Sequence, residues 1–345
     1  MSVPRHELAP GYSISRIILG GWQLAQGHSV ASEDTRDSEE ILQAAVQAGI
    51  TTFDCADIYT GVEEFIGGFL RTAALDVPVQ VHTKYVPDLS ALPTLTEQET
   101  RQIIERSLRR LGVDRLDLVQ FHWWDFDIPG YVEAALTLSR LREEGMIAHI
   151  GVTNFDAAHL TEILEAGVPV VSNQVQYSIL DRRPEGEMAH LCTTHGISLL
   201  CYGTLGGGLL TDAYVGAPEP REPFENRSLT KYRLIVDEFG DWDEFQRVLR
   251  TLRSIADRHG IDLAAVATRF VLDRPGVAAA ITGIRRPSHL RDLDRIFEFA
   301  IDDADLAEIA PHFIGAAGPD GPVYGLERIK GGRHARIMRT NLNRA

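Results

Sequence analysis

The feature that most constrains the fold is a regular alternation of short β-branched or leucine-rich runs with longer segments of helical period. Several of the helical segments end in glycine, a common signal at helix C-termini. Eight runs have the length and composition of buried strands: Arg16–Leu19, Thr51–Asp54, Val79–Thr83, Leu116–Phe121, Ala148–Gly151, Val170–Gln174, Ser198–Tyr202 and Val277–Thr282. This pattern favours an α/β fold, a closed (β/α)8 TIM barrel, over an open sheet.

The size and composition predict one large domain. A chain of 345 residues with 44% hydrophobic residues can bury the core of a single barrel. We therefore predict a barrel over residues 1–310 and a C-terminal extension over residues 311–345, packed on the barrel or trailing from it. The extension carries several glycines and then basic residues, so docking on the body and a solvated tail are both open.

Charge and cysteine content limit the possible partners and location. The formal net charge of −15 argues against nucleic acid or an anionic membrane as a partner. Three scattered cysteines do not form a disulfide framework, which indicates a reducing compartment. Since no apolar stretch of membrane-spanning length occurs, we expect a cytoplasmic protein that acts on a small molecule, and a homo-oligomer is compatible with this composition.

Four residues that can transfer protons lie where the predicted strands end. Asp54 ends one apolar run and Tyr59 follows five residues later, while Lys84 and His122 follow the next two runs. The C-terminal ends of barrel strands meet at one rim, where barrel enzymes carry their chemistry. A phenol, an ammonium, a carboxylate and an imidazole at that rim suggest proton transfer to or from a substrate oxygen.

Six sequence blocks, in order, resemble the aldo-keto reductase family. They are FDCADIYTGVEEFIG, VHTKY, LVQFHWW, IGVTNF, NQVQYSIL and CYGTLGGGLLT, and the similarity runs from about Leu19 to about Ile296. The resemblance implies reversible hydride transfer between a nicotinamide cofactor and an aldehyde or ketone, with Tyr59 as the proton donor. The family comprises reductases and alcohol dehydrogenases of several substrate classes, so the resemblance leaves the substrate open.

Within this interpretation each rim residue has a chemical role. The pKa of a free phenol is near 10, and a cation about 4 Å away would favour the phenolate by ~4 kcal/mol, or roughly three pKa units, while burial opposes this. Lys84 would supply the cation, and Asp54 would hold its ammonium in place. His122 would form a hydrogen bond with the substrate carbonyl oxygen and position it.

The resemblance also implies a cofactor site. Asn154 and Gln174 would contact the nicotinamide carboxamide, and Tyr202 would stack on the ring. The remaining predicted cofactor contacts lie near the first strand, in the glycine-rich segment and after the last strand: Gly21, Trp22, Leu205, Gly206, Gly207, Gly283, Arg285, Arg286 and His289. Because the two arginines suit a 2′-phosphate, NADPH is favoured over NADH, and a solvated charge pair is the less favoured alternative.

Tryptophans and one long irregular segment complete the predicted site. Trp22, Trp123 and Trp124 either wall an apolar pocket for a bulky or cyclic carbonyl compound or pack in the core. Residues 206–241, rich in glycine and proline, form either an active-site lid or an insertion on the barrel wall. We expect no metal site.

Two other functions are compatible with this sequence. A barrel lyase would form a Schiff base on Lys84, but a lysine paired with Asp54 argues against it. A cofactor-binding regulatory subunit would keep the fold and the cofactor site with little turnover, as channel-associated members of the family do.

Overall fold

The computed structural model is a closed barrel of eight parallel strands with helices between them, which confirms the predicted TIM barrel. The structure describes residues 3–25, 35–222, 224, 227–284, 290, 293, 295–314 and 318–343, with side chains in the first helix from residue 38. The barrel strands are β3 (Ile17–Gly20), β4 (Thr52–Asp54), β5 (Gln80–Tyr85), β6 (Leu116–Phe121), β7 (Ile147–Thr153), β8 (Val170–Gln176), β9 (Ser198–Tyr202) and β10 (Val277–Thr282). They follow one another around the barrel, and β10 closes it against β3.

The helices form the outer layer, and their ends carry the expected sequence signals. In α3, Thr96 and Glu99 form a capping box and Gly112 ends the helix in the left-handed conformation. The described helices are α1 (Thr35–Gln47), α2 (Val62–Thr72), α3 (Glu97–Leu111), α4 (Tyr131–Glu143), α5 (Ala157–Glu165), α6 (Glu187–His195), α7 (Arg227–Phe239), α8 (Trp242–His259), α9 (Leu263–Leu272), α10 (Asp303–Ile309) and α11 (Gly325–Arg328). Among the described residues, none of these helices has the length and apolarity that a membrane crossing requires.

An N-terminal hairpin closes one end of the barrel. Strands β1 (Arg5–Ala9) and β2 (Tyr12–Ser15) pair antiparallel before the barrel begins. Leu8 and Ile14 of the hairpin pack with Leu118 and Leu200 of the barrel strands. Because the hairpin covers the N-terminal ends of the strands, the opposite end is the open mouth, where the strands end.

The segment after β9 contains short helices, although its glycine and proline content predicted an irregular loop. It begins with two short 3₁₀ turns, Gly206–Gly208 and Asp212–Tyr214, and continues into α7. Buried apolar side chains hold α7 in place, among them Ile235, Val236 and Phe239. About a third of the predicted irregular segment, the 13 residues of α7, is therefore a packed helix.

The C-terminal residues 318–343, which we call the strap, lie across the mouth. The Leu89 amide, after β5, donates to the Thr340 carbonyl at 2.8 Å. Arg183, after β8, reaches Glu327 at 3.1 Å, and Arg227 of α7 donates to the Ile337 carbonyl at 2.6 Å. The strap therefore contacts the ends of several strands on different sides of the barrel.

Candidate active site

A buried ion pair lies at the centre of the mouth. The Lys84 ammonium donates to Asp54 Oδ2 at 2.6 Å and to the Cys55 carbonyl at 2.9 Å, and both charged side chains are only 6% exposed. Burial alone would lower the pKa of Lys84, but the Asp54 charge outweighs it and the pKa is raised. Lys84 therefore stays an ammonium at physiological pH, as a proton-relay cation must.

Two glutamines hold the other oxygen of Asp54. Gln120 donates to Asp54 Oδ1 at 2.9 Å, and Gln174 donates to the same oxygen at 2.6 Å and to the Gln120 side-chain oxygen at 2.8 Å. The sequence interpretation omitted Gln120, although a polar residue inside the apolar run LDLVQF is a signal that could have indicated it. The network fixes the carboxylate in one orientation beneath the ammonium.

Tyr59 lies on the other side of Lys84. The ammonium is 5.0 Å from the centroid of the phenol ring, and Trp22 packs against that ring edge-on at 4.9 Å. Burial raises the pKa of Tyr59, while the charge and hydrogen bond of Lys84 lower it, and burial prevails. The expected Lys84 effect on the pKa is therefore present but does not dominate, because burial outweighs it and the Asp54 charge also opposes it. Tyr59 is protonated at neutral pH, as a proton donor must be.

His122 faces the mouth with one nitrogen free. Its Nδ1 is 3.1 Å from the Thr153 carbonyl, which can only accept, so the hydrogen bond requires a proton on Nδ1. Burial, aided by the charge of Arg328, lowers the pKa of His122 to about 3. The ring is therefore neutral, and its buried Nε2 has no partner among the described residues. In this tautomer Nε2 accepts, whereas a hydrogen bond to a carbonyl oxygen would need it to donate.

The predicted nicotinamide residues lie together beside this centre. The Tyr202 hydroxyl donates to Asn154 Oδ1 at 2.8 Å. Asn154 has a positive φ of 63°, a conformation that non-glycine residues rarely adopt and that often marks functional sites. Gln174 donates its two amide hydrogens to Asp54 and Gln120. Only its side-chain oxygen is therefore free, and it can accept a hydrogen bond from the amide of a carboxamide. A planar ring, a free amide oxygen and an asparagine in one place suit a nicotinamide.

The glycine-rich segment has a packing role of its own. A side-chain carbon at Gly203 or Gly207 would lie within 2.5 or 2.6 Å of the Tyr232 ring, so α7 packs directly on this backbone. Leu205 is a partly buried apolar residue beside the core, and the Gly206 backbone is buried. The close contact with Tyr232 therefore requires glycine at positions 203 and 207.

The other predicted cofactor residues divide into three groups. Gly21 donates to the Asp54 carbonyl at 2.7 Å and has no room for a side chain beside β4. Gly283 adjoins the Gln23 side chain at the end of β10, where a side-chain carbon would lie 2.2 Å from it. Arg285, Arg286 and His289 lie outside the described residues.

The consecutive tryptophans after β6 separate into different environments. Trp124 is partly buried and meets His122 edge-on at 4.4 Å, so it lines the catalytic side of the mouth. Trp123 does not line the mouth: it is 0% exposed and donates to the Ile128 carbonyl at 3.0 Å. Its ring packs against Phe121 in the barrel wall, because successive side chains here point to opposite sides.

The strap adds residues that no motif identified. Tyr324 packs edge-on against His122 at 5.5 Å and has a positive φ of 59°. Glu327 and Arg328 follow in α11 and are bound to residues of the barrel rim. The strap sequence has glycines and arginines without helical or strand periodicity, so it does not predict where these side chains lie. Their position at the mouth is seen only in the folded structure.

Comparison with known proteins agrees with this geometry. The model of the aldo/keto reductase family matches residues 16–313. Aldo-keto reductase YhdN of Bacillus subtilis is 29% identical over 305 residues, covering 87% of this chain and 90% of that protein. NADH-specific methylglyoxal reductase of Escherichia coli is 27% identical over 318 residues, covering 85% and 93%. The strap begins beyond the matched segment.

A solved structure is similar over most of the chain. The thermostable aldo-keto reductase Tm1743, crystallised with the inhibitor epalrestat, has a TM-score of 0.71 and 25% identity. The similarity covers 90% of this chain and 100% of that one. The barrel fold is therefore shared with an aldo-keto reductase of known structure.

Proposed function

This chain belongs to the aldo/keto reductase family, and from that premise we propose that it is an NADPH-dependent carbonyl reductase that interconverts an aldehyde or ketone and the alcohol, with Tyr59 as general acid and base. The observation that carries the proposal is the linked set of Tyr59, Lys84 and Asp54, in which an ammonium 2.6 Å from a carboxylate faces a phenol ring. A metal takes no part in this proposal.

The cofactor would supply the hydride, and the chain would supply its orientation. Tyr202, Asn154 and the free oxygen of Gln174 form the surface on which a nicotinamide ring and its carboxamide fit. Stacking and amide contacts together fix which face of a ring is presented to the substrate. Preference for NADPH rests on Arg285 and Arg286, and the relative whose name specifies NADH makes this preference worth measuring.

During reduction, negative charge develops on the substrate carbonyl oxygen. Tyr59 donates its proton to that oxygen, and the adjacent Lys84 stabilises the phenolate that remains. Asp54, held by two glutamines, keeps the ammonium charged and directed at the tyrosine. The raised pKa of Tyr59 suits donation at neutral pH and requires higher pH for the reverse reaction.

His122 has a position suited to the alcohol. With Nδ1 bound to the Thr153 carbonyl, Nε2 can accept a hydrogen bond from the hydroxyl of the alcohol after Tyr59 has protonated it, and that single proton must turn back to the Tyr59 phenolate before oxidation. Trp124 and Tyr324 both contact the imidazole edge-on. We propose that His122 binds the alcohol in this tautomer and that donation to a carbonyl requires the other one.

A Schiff-base lyase is a poorer fit to these contacts. The nucleophile in such an enzyme is a neutral amine, whereas the pKa of Lys84 is raised by its buried carboxylate partner.

A regulatory role has support from relatives named as probable voltage-gated potassium channel beta subunits, one of them from Arabidopsis thaliana and 26% identical over 296 residues. That role predicts cofactor binding with negligible turnover. For the reductase we also propose a cytoplasmic location, in keeping with three buried, unpaired cysteines.

The test is a Tyr59→Phe variant measured beside the wild type. We expect the turnover number with NADPH and a panel of aldehydes and bulky ketones to fall about 10²- to 10⁴-fold, the usual contribution of a general acid. Cofactor affinity, followed by tryptophan fluorescence, should change little because Tyr59 is separate from Tyr202 and Asn154. Retention of turnover by the variant would exclude Tyr59 as the acid. Tight binding of NADPH by a wild type without turnover would favour the regulatory role.

A further inference from the structure

Three cations lie at the side of the mouth next to His122: Arg183 after β8, Lys231 of α7 and Arg328 of the strap. Arg183 is bound to both Asp181, at 2.7 Å, and Glu327, at 3.1 Å. The charges of Asp156 and Glu327 also act on Arg328, but among the described residues neither carboxylate is within ion-pair distance of it. A cation that is shielded from water without a bonded carboxylate is a costly arrangement.

Arg328 is the least compensated of these cations. Its guanidinium donates to the Asn154 carbonyl at 3.0 Å and to the Trp123 carbonyl at 2.8 Å. The ring of Phe126 is 4.2 Å from its central carbon. Its buried Nε has no hydrogen-bond partner, and no carboxylate of the described residues forms an ion pair with it. A guanidinium has five N–H donors, so most of its hydrogen-bonding capacity remains available.

Lys231 has a similar position on the other side of Tyr324. Its ammonium lies 4.9 Å from the Tyr202 ring centroid and 5.7 Å from that of Tyr324. The nearest carboxylate oxygen, on Glu327, is 3.9 Å away and accepts no hydrogen bond. Burial lowers the pKa of Lys231 and the Glu327 charge only partly opposes this. The ammonium is therefore held mainly by aromatic rings.

Both cations are close to the reacting centre. The ring of Tyr324 is 5.5 Å from the His122 ring and 5.1 Å from the central carbon of Arg328. Asn154 and Trp123, whose carbonyls bind Arg328, adjoin Thr153 and His122 in the chain. The Tyr324 ring therefore contacts both the His122 ring and the guanidinium, which places Arg328 one aromatic ring away from the proposed substrate position.

We propose that the strap forms an anion subsite beside the carbonyl position, in which Arg328, with Lys231 across Tyr324, selects aldehyde or ketone substrates that carry a carboxylate. A planar guanidinium with free N–H groups matches the two oxygens of a carboxylate. The family model ends at residue 313, so Arg328 belongs to the part of the chain that the model does not match, whereas Lys231 lies within the matched part. The inference rests on the proposed reductase function and adds its substrate class.

The test compares two aldehydes of similar shape, 4-carboxybenzaldehyde and methyl 4-formylbenzoate, with wild type, Arg328→Met and Arg328→Lys. Because the two compounds differ in intrinsic reactivity, each variant is compared with wild type on the same substrate. We expect Arg328→Met to lower kcat/KM about 10- to 100-fold for the carboxylate and less than about 3-fold for the ester. Arg328→Lys should recover part of the loss. Arg333→Met is the matched control, because Arg333 is a strap arginine that pairs with Asp237.

A binding experiment keeps the proposal testable without turnover. Benzoate and benzamide are titrated into the wild type and Arg328→Met in the presence of NADP, with tryptophan fluorescence as the readout. We expect benzoate to bind the wild type more tightly than benzamide, and Arg328→Met to remove that difference. Equal losses for both aldehydes, or equal binding of benzoate and benzamide by the wild type, would show that Arg328 only fastens the strap. Absence of turnover with normal benzoate selectivity would instead contradict the proposed function.

Discussion

The proposed proton-transfer centre and the strap both bury charged groups, but the charges are compensated differently in the two regions. In the centre, Lys84 and Asp54 form a 2.6 Å pair, and two glutamines bind the free carboxylate oxygen. In the strap, Glu327 serves Arg183 and stays 3.9 Å from Lys231, while Arg328 contacts backbone carbonyls alone among the described polar groups. In the centre each buried charge has a hydrogen-bonded partner of opposite sign, whereas Lys231 and Arg328 have no such partner among the described residues.

The difference follows from what each region has to bind. A proton relay must keep one charge state through each catalytic cycle, so its cation has a permanent carboxylate partner. A recognition site gains affinity only where its charges are not already neutralised by the protein. Complete compensation in the barrel and incomplete compensation in the strap therefore agree with separate roles in chemistry and in substrate selection.

The strongest challenge to this comparison is Lys84→Met. It leaves Asp54 buried without a cation, which typically costs about 3–5 kcal/mol of unfolding free energy, and it should also lower turnover about 10²-fold or more. The double variant Asp54→Asn/Lys84→Met should recover most of the stability but none of the activity, since a neutral amide satisfies the glutamines without a buried charge. Urea unfolding and steady-state kinetics measure the two effects.

Unchanged stability of Lys84→Met would mean that the pair is not electrostatically coupled to folding. Recovery of activity in the double variant would mean that the ammonium is not needed for proton transfer. Either result would remove the contrast between a complete centre and an incomplete strap.

A smaller effect is expected from Glu327→Gln in the strap. Arg183 would keep Asp181 at 2.7 Å, but Lys231 would lose its nearest carboxylate and Arg183 one of its two. We expect a loss of about 1–3 kcal/mol in strap docking, the usual cost of one charged hydrogen bond. Limited trypsin digestion followed by mass spectrometry should find faster cleavage in residues 318–343.

Glu308→Gln is the matched control for this variant. Glu308 pairs with Arg258 at 2.9 Å on the surface, where both side chains are more than 40% exposed and such pairs contribute little. Equal cleavage rates in Glu327→Gln and wild type would show that the buried ion cluster does not hold the strap.

The difference between the two regions also explains what the sequence could predict. Asp54, Lys84 and His122 end or follow strands whose apolar periodicity is plain, and a parallel barrel necessarily brings strand ends to one rim. Even Tyr59 is near enough to β4 in the chain for its position to follow. Local pattern and a single topological rule therefore suffice to predict this part of the site.

The strap obeys no such rule. Arg328 is 174 residues from Asn154 and 205 residues from Trp123 in the sequence. No periodicity in the sequence predicts these contacts. Trp123 and Trp124 are adjacent and chemically alike, yet one packs in the barrel wall and the other lines the mouth. The hairpin before β3 was also absent from the prediction, although proline and glycine between Ala9 and Tyr12 form a recognisable turn signal.

The smallest expected effect concerns Asp57, where the far end of the strap is fastened. Asp57 Oδ2 accepts from Val86 N at 3.2 Å and Asn343 Nδ2 at 3.1 Å, while Oδ1 is buried without a partner. Burial, reinforced by the Glu63 charge, raises the pKa of Asp57 from 3.8 to about 7. Unlike Asp54, this carboxylate has no cation bound to it among the described contacts.

Because the folded-state pKa of Asp57 is raised, its contribution to stability is fully present below pH 4 and is lost as the pH rises to about 7. We expect Tm to decrease by a few degrees between pH 5 and 8 on this account, because the two pH units between 5 and the raised pKa correspond to about 2–3 kcal/mol at most and a chain of this length loses less than about 2–4 °C per kcal/mol. Asp57→Asn should remove that part of the slope, since the amide stays neutral. The difference between the two Tm curves cancels other titrating groups, and parallel curves would show that strap anchoring at Asp57 is independent of its ionisation.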